Sequence, residues 1–303
     1  INVQAIRGLK KMLSFSFLNN VAITLFTFFI MIVMVSYSSS EKLPIYAYVL
    51  SVFIMSFSSY FIWYHHKRKI ISLKFTNNSK NIYGNENELS TKQLFKISLP
   101  LLLGQSMILI MGKVDLFMLA NMTSSEYVGI YNIALKLSML AYIGLMAVNS
   151  IAAPKFSEIH STGDLNALKK IVQQSTKTIF WLTLPIIILV ISFPKNILSF
   201  FGEEFRLAAM ALIILSFSKM FSAISGSVGT FLQMVGKQKV FQNILIFTAA
   251  INIILNYILI PKYNIDGAAI ASAISVIVWS VLMIVYIKKK FGFYSIYFPG
   301  IRK

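Results

Sequence analysis

Residues 240–287 read VFQNILIFTAAINIILNYILIPKYNIDGAAIASAISVIVWSVLMIVYI, and this stretch decides the fold class of the chain. Two apolar runs, 240–260 and 267–287, flank the short polar segment PKYNID. Each run has about the 20 residues that an α-helix needs to cross the ~30 Å hydrocarbon core of a bilayer. We therefore predict two membrane-spanning helices that cross in opposite directions and are joined by a tight connection.

The same pattern recurs along the chain and predicts an all-α, polytopic membrane helix bundle. Of the 303 residues, 57% are hydrophobic and only 13% are charged, which is too apolar for a water-soluble domain. The long apolar runs also differ from the short alternating strands of a membrane barrel. The eight predicted spans are 13–35, 45–64, 97–120, 131–153, 178–194, 207–232, 240–260 and 267–287.

Lysine and arginine predict the orientation of these spans. Most of the 28 Lys and Arg residues fall at the two ends and in alternate loops, whereas the other loops carry only Lys42, Lys195, Arg206 and Lys262. Basic loops stay on the cytoplasmic side of a membrane. Both ends are therefore predicted to be cytoplasmic, and the net charge of +18 indicates a membrane surface and not nucleic acid as the partner.

Several classes of chemistry have no support in the sequence. Cysteine is absent, and the three histidines are accompanied by no acidic cluster, so we predict neither a metal site nor a cofactor. The chain also has no phosphate-binding loop, nucleophile elbow or pair of catalytic carboxylates. We predict that the protein is not an enzyme.

Two of the cytoplasmic loops are distinctive. Residues 65–96 are polar and rich in asparagine, which predicts a flexible linker. The loop after span 131–153 contains Asp164, a residue type that caps helices, followed by Leu168 and Val172 at helical spacing. This pattern predicts a short amphipathic helix that lies on the membrane surface.

Charged residues inside the predicted spans are the strongest functional signal, because a charge deep in a membrane costs about 2.5–3.5 kcal/mol or more. Asp115 and Lys136 lie equally far from the outer loop 121–130 on neighbouring helices, so we expect them to form an ion pair. Lys113 faces a different way from Asp115 on an ideal helix. It is expected to face a cavity or to extend to the outer interface.

Lys219 lies near the middle of span 207–232, from which its side chain cannot easily reach either interface. Ser216, Ala223, Gly226 and Thr230 share its helix face. Small residues on one face can simply allow close helix packing. A water-filled cavity that receives an anionic ligand is the other interpretation, and it also accounts for the lysine.

Four stretches resemble the polysaccharide transporter branch of the multidrug/oligosaccharidyl-lipid/polysaccharide flippase superfamily, and in particular bacterial O-antigen and capsular repeat-unit flippases. The resemblance runs from about residue 93 to 287, with a looser match before it. The stretches are KVDLFMLANMTSSEYVGIYNIALKLSML (113–140), PKFSEIHSTGDLNALKKIVQQS (154–175), FLQMVGKQK (231–239) and NIILNYILIPKYNIDGAAIASAIS (252–275).

The resemblance implies two six-helix lobes, within a fold of twelve to fourteen helices, that face each other across a cavity open to alternate sides. Such proteins move undecaprenyl-pyrophosphate-linked oligosaccharides across the bacterial inner membrane for O-antigen, capsule or exopolysaccharide synthesis. Membrane lipids and other polysaccharide-assembly proteins are the implied partners. Carried over by position, the residues that line or brace the cavity would be Lys113, Asp115, Lys136 and Lys219.

The domains follow from the same resemblance. Residues 1–92 would be the last two helices of the N-terminal lobe with a linker, 93–290 a six-helix C-terminal lobe, and 291–303 a cytoplasmic tail. The first four helices of such a transporter have no counterpart here, and the chain begins with isoleucine. We therefore expect a fragment of a longer protein or a truncated product.

Three alternative functions remain open. A drug or cation exporter of the same superfamily would be expected to have acidic cavity residues, whereas three of the four charges discussed above are lysines. A membrane polymerase of the same pathway would need a large outer loop, and the predicted outer loops are short. A membrane scaffold without transport activity would leave Lys219 unexplained.

Overall fold

The computed structural model describes residues 22–36, 43–76 and 91–299, and helices account for nearly all of them. The all-α fold is confirmed. The helices are α1 (Ala22–Val35), α2 (Leu43–Thr76), α3 (Thr91–Met122), α4 (Ser125–Leu140), α5 (Ile143–Thr162), α6 (Leu165–Ser192), α7 (Pro194–Ser199), α8 (Ala209–Ser225), α9 (Val228–Met234) and α10 (Gln238–Phe291), with a 3-10 helix at Glu203–Ala208.

The helices agree with a chain that crosses a membrane several times. In the part of the chain that the structure describes, five helices are long and apolar enough to span a membrane, or six if the bent pair α4 and α5 forms one span. That pair corresponds to the predicted span 131–153, with a bend of 48° at residues 141–142. The first predicted span, 13–35, lies partly outside the described residues.

Helix α10 contains the two predicted spans of the opening stretch, folded against each other. The fold-back is at Asn264, whose φ of 48° and ψ of −121° are not helical. Phe241 and Met283 belong to one hydrophobic cluster although 42 residues separate them, so the two arms are antiparallel. Gly267 packs so closely on the Leu259 carbonyl that a Cβ atom would overlap it. The tight turn therefore requires glycine at this position.

The chain divides into two compact units, Ile1–Glu88 and Leu89–Lys303. In the first unit α1 packs against α2. The linker predicted at 65–96 is too long, because α2 continues to Thr76 and α3 already begins at Thr91. Residues 77–90 of that linker lie outside the described residues.

Among its described residues, the second unit has two large hydrophobic clusters at its opposite ends and a smaller one that contains Leu145, Ile179 and Ala223. One large cluster contains Leu119, Ile130 and Leu212, near the connections that are predicted to lie outside. The other large cluster contains Phe156 and Phe231, near the connections that are predicted to lie inside.

The predicted surface helix after Asp164 is wrong as a separate element. Asp164 does cap a helix, since its Oδ1 accepts hydrogen bonds from the backbone N–H groups of Asn166 and Ala167, both at 2.9 Å. That helix is α6, which continues without a break to Ser192. Leu168 and Val172 are buried in the second cluster, so this apolar face packs on protein and not on lipid.

The predicted span 207–232 is also interrupted. Helix α8 ends at Ser225, and α9 begins at Val228. Gly226 between them has a φ of 75°, and a Cβ atom there would overlap Thr176. Small residues on this face therefore create a break in the helix, and they do not only allow close packing.

We expect Gly226→Ala to lower the free energy of unfolding by about 2–4 kcal/mol, because alanine is strained at a positive φ and its Cβ atom would overlap Thr176. Gly236→Ala is the matched control, because Gly236 has a φ of 73° but nothing within 4 Å of an added Cβ. It should cost only about 1–2 kcal/mol. Unfolding of the purified protein in detergent measures both, and equal losses would contradict the contact with Thr176.

Candidate functional site

A fully buried aspartate lies at the centre of the second unit. The side chain of Asp115, on α3, accepts hydrogen bonds from the Tyr131 hydroxyl on α4 at 3.2 Å and from Asn256 Nδ2 on α10 at 2.6 Å. The Ser272 hydroxyl, on the second arm of α10, donates a third. Asp115 thus connects α3 to α4 and to both arms of the α10 hairpin.

These donors explain how a carboxyl group is tolerated at this depth. A buried charge is very costly unless hydrogen bonds replace its water, and hydrogen bonds to a charged acceptor are the stronger kind. Asn256 Nδ2 also donates to Asn252 Oδ1 at 3.3 Å, one helical turn away. Two polar atoms of this asparagine pair, Asn252 Nδ2 and Asn256 Oδ1, are buried without a partner in the structure.

The predicted ion pair between Asp115 and Lys136 is wrong. Lys136 is exposed. Among the described residues the one ion pair is between Arg206 and Glu203, whose side chains are 2.8 Å apart. Tyr131 is the α4 residue that faces Asp115. Lys136 follows it by five positions, which rotates its side chain by about 140° around the helix. Equal depth was therefore insufficient to identify the partner.

Lys219 is the second charged group near this centre. Its side chain on α8 is partly buried, and its Nζ lies 5.8 Å from the centroid of the Tyr142 ring. A lysine over an aromatic ring gains a cation–π attraction. Lys219 thus contacts an aromatic ring, and among the described residues it forms no ion pair.

The structure separates the predicted site residues into two groups. It buries Asp115 fully and Lys219 partly, and it leaves Lys113 and Lys136 on the exposed surface. Ser216 lies one turn from Lys219, is fully buried, and has an Oγ with no hydrogen-bond partner in the structure.

A cleft of about 170 Å³ lies beside the break between α8 and α9. Tyr142, whose ring is near Lys219, is one of its lining residues. Amides, hydroxyls and aromatic rings line the cleft together with apolar side chains, and none of the described residues that line it is charged. Its polar and aromatic lining residues are Gln105, Tyr142, Asn149, Ser222, Ser227, Thr230, Gln233, Phe241, Trp279 and Ser280.

Some hydrogen-bonding capacity in the cleft is unused. Gln105 Nε2 donates to Gln233 Oε1 at 3.5 Å, which is a long hydrogen bond. Ser227 Oγ and Asn149 Oδ1 are buried and have no partner in the structure. Because buried polar atoms normally have partners, these two atoms indicate a place for a ligand with hydroxyl or amide groups.

Sequence reasoning missed most of this site. Asn252 and Asn256 occur four positions apart in an apolar span, and this spacing could have indicated a polar face on α10. Tyr131 and Ser272 gave no comparable signal, because hydroxyl residues are frequent throughout the chain. Among the described residues there is no group of three or more histidine, aspartate or glutamate side chains that could hold a metal ion.

Comparisons with known proteins relate this chain to membrane transporters. The MatE family model matches residues 100–258. The "Probable low-salt glycan biosynthesis flippase Agl15" of Haloferax volcanii is 27% identical over 55% of this chain and 36% of that protein. The "Capsular polysaccharide biosynthesis protein CapF" of Staphylococcus aureus is 23% identical over 79% of this chain and 58% of that protein.

A solved structure has the same fold. The crystal structure of a MATE protein in the straight conformation aligns with a TM-score of 0.72 and 16% identity, over 96% of this chain and 65% of the other. At this identity the likeness concerns the fold alone. The chain spans about half, or less, of the length of the first curated relatives that it matches.

Proposed function

Because this chain belongs to the MatE family, we propose that it takes part in flipping a lipid-linked oligosaccharide across a membrane. The resemblance to polysaccharide flippases is confirmed at the level of the family, and relatives are named as a glycan flippase and a capsule biosynthesis protein. We further propose that the substrate is an undecaprenyl-pyrophosphate-linked repeat unit for O-antigen, capsule or exopolysaccharide, and that the membrane is the bacterial inner membrane.

The uncharged polar cleft is the observation that carries this proposal. Sugar hydroxyl groups donate and accept hydrogen bonds, and sugar rings pack on aromatic faces. Ser227 Oγ and Asn149 Oδ1 are available for such bonds, and the Trp279 ring lines the same cleft. Lys219, whose Nζ lies 5.8 Å from the ring of the lining residue Tyr142, would attract the anionic part of the substrate.

The same cleft disfavours the drug or cation exporter. A cationic substrate would be attracted by acidic side chains, and in the described part of the chain no Asp or Glu lines the cleft. The buried carboxyl group of Asp115 already accepts three hydrogen bonds. We propose that this group organises the unit and does not bind substrate.

The organisation of the chain remains a proposal. We propose that residues 1–92 belong to an N-terminal lobe, that 93–290 form the six-helix C-terminal lobe, and that 291–303 form a tail. Both ends would be cytoplasmic, as the distribution of Lys and Arg predicts. The exposed Lys113 and Lys136 would then face either the transport cavity that the family resemblance implies or the outer membrane interface.

The proposal can be tested with the complete gene in two strains. In a strain that lacks its repeat-unit flippase, we expect the gene to restore surface polysaccharide. In a strain that lacks its drug exporters, we expect no gain in resistance to cationic drugs. Immunoblotting would confirm equal amounts of protein in both membranes. Resistance without polysaccharide would overturn the proposal in favour of the exporter.

A further inference from the structure

A second cavity lies on the opposite side of α6 from the cluster that buries Leu168 and Val172. It is a groove of about 550 Å³ between the first half of α6 and the segment that follows α10. Asn166, Lys170, Gln173 and Lys177 form one face of it, at spacings of three and four residues along α6. None of its lining residues belongs to the polar cleft.

The segment 293–298 forms the other wall and is held in place by specific contacts. The Tyr297 backbone N–H donates to the Ile224 carbonyl at 3.1 Å, and Gln173 Nε2 donates to the Tyr294 carbonyl at 3.2 Å. Trp181 Nε1 lies 3.3 Å from the Tyr297 hydroxyl. Phe293 and Ser295 are buried. The groove is therefore an ordered part of this unit.

The groove has a strong positive charge. Lys169, Lys170 and Lys177 line it and all three are exposed, whereas none of the lining residues that the structure describes is acidic. None of the three forms an ion pair with any residue that the structure describes. Ile296 and Phe298 contribute an apolar surface beside these lysines.

The surface of α6 shows where the groove lies relative to a membrane. Up to Lys177 its exposed residues are mostly polar, whereas Trp181, Leu182, Ile188 and Leu189 beyond it are all exposed and apolar. Lys177 precedes Trp181 by one turn, or about 6 Å. Tryptophan is typical of the membrane interface. Lys177 is therefore at the level of the lipid head groups, and Lys169 and Lys170 lie about two turns further from the hydrocarbon core.

We propose that this groove binds an anionic phospholipid of the adjacent leaflet, with the lysines on the head-group phosphate and with Ile296 and Phe298 along an acyl chain. Lysine clusters next to a membrane span attract anionic lipids. The apolar wall favours a lipid over a soluble phosphate, which has nothing to place there. The site is independent of the proposed transport function, because it is separate from the cleft.

Fluorescence of Trp181 can test the proposal. The complete chain is reconstituted in phosphatidylcholine vesicles that contain a minor fraction of brominated phosphatidylglycerol or, in a parallel sample, brominated phosphatidylcholine. Bromine quenches tryptophan at short range, and Trp181→Phe identifies the signal of this residue. We expect stronger quenching by phosphatidylglycerol, and about fivefold weaker binding of it for each lysine removed.

The decisive variant is Lys170→Gln/Lys177→Gln, and the matched control is Lys195→Gln/Lys262→Gln, which removes the same charge from exposed positions elsewhere. If only Lys170→Gln/Lys177→Gln loses the stronger quenching by phosphatidylglycerol, the result supports the proposed lipid site. If both double variants lose it equally, or both keep it, the proposal is overturned. Phe298→Ala keeps every lysine, so it should weaken the binding of phosphatidylglycerol less than Lys170→Gln/Lys177→Gln does. Displacement of the lipid by inorganic phosphate would instead assign the groove to a soluble anion.

Discussion

Replacement of Lys219 by alanine is expected to abolish the restoration of surface polysaccharide in a strain that lacks its flippase. Lys219 Nζ lies 5.8 Å from the centroid of the Tyr142 ring, and Tyr142 lines the cleft. A charged group in a membrane is retained at a cost of at least ~2.5 kcal/mol, so a function should depend on it. In our proposal it attracts the anionic part of the lipid-linked substrate. Polymer is measured by immunoblotting of whole cells.

Two further variants separate charge from packing. Lys219→Arg keeps the positive charge and should retain part of the activity, whereas Lys219→Met keeps the length of the side chain and should be inactive. Lys195→Ala is the control, because Lys195 is exposed on α7, and it should behave like the unmodified protein. Wild-type polymer from Lys219→Ala at normal protein levels would remove Lys219 from the mechanism.

The second large effect is expected for stability, at Asp115. Asp115→Ala removes the acceptor of three hydrogen bonds, from the buried donors of Tyr131 and Asn256 and from the partly buried hydroxyl of Ser272. Each unsatisfied donor costs about 1–3 kcal/mol. We expect a total loss of about 3 kcal/mol or more in the free energy of unfolding, measured by denaturation of the purified protein in detergent.

Asp164→Ala is the matched control for this substitution. Asp164 also accepts two hydrogen bonds, but it is exposed at the start of α6, and loss of such a cap costs about 1 kcal/mol. Asp115→Asn keeps one acceptor oxygen and should fall between Asp115→Ala and the unmodified protein. If Asp115→Ala is no less stable than Asp164→Ala, the aspartate does not hold the helices together.

The interruptions of the helices show one limit of sequence reasoning. The predicted span 207–232 is broken at Gly226 because Thr176, on another helix, occupies the space that a side chain would need. The helix after Asp164 extends into the bundle because Leu168 and Val172 are buried in the second hydrophobic cluster, which residues of α5, α9 and α10 also form. Hydrophobic periodicity predicts that a face is buried, but it does not distinguish burial in lipid from burial in protein.

The choice of partners shows the other limit. Depth in the membrane can be counted along the chain, and it placed Asp115 and Lys136 at the same level. The direction of a side chain changes by about 100° with each residue, so a small error in helix rotation changes the partner. Tyr131, five positions before Lys136, makes the contact, and Asn256 comes from a helix more than a hundred residues away.

The amino-acid sequence by itself determined the class of this protein, the positions of most of its apolar helices and its family. Length and hydropathy are local quantities, and a bilayer of fixed thickness converts them directly into spans. Only the tertiary structure decided which polar groups meet: the donors around Asp115, the ring beside Lys219, and the amides and hydroxyls of the cleft. These contacts depend on the rotation and packing of helices that are distant in sequence, and no local pattern encodes them.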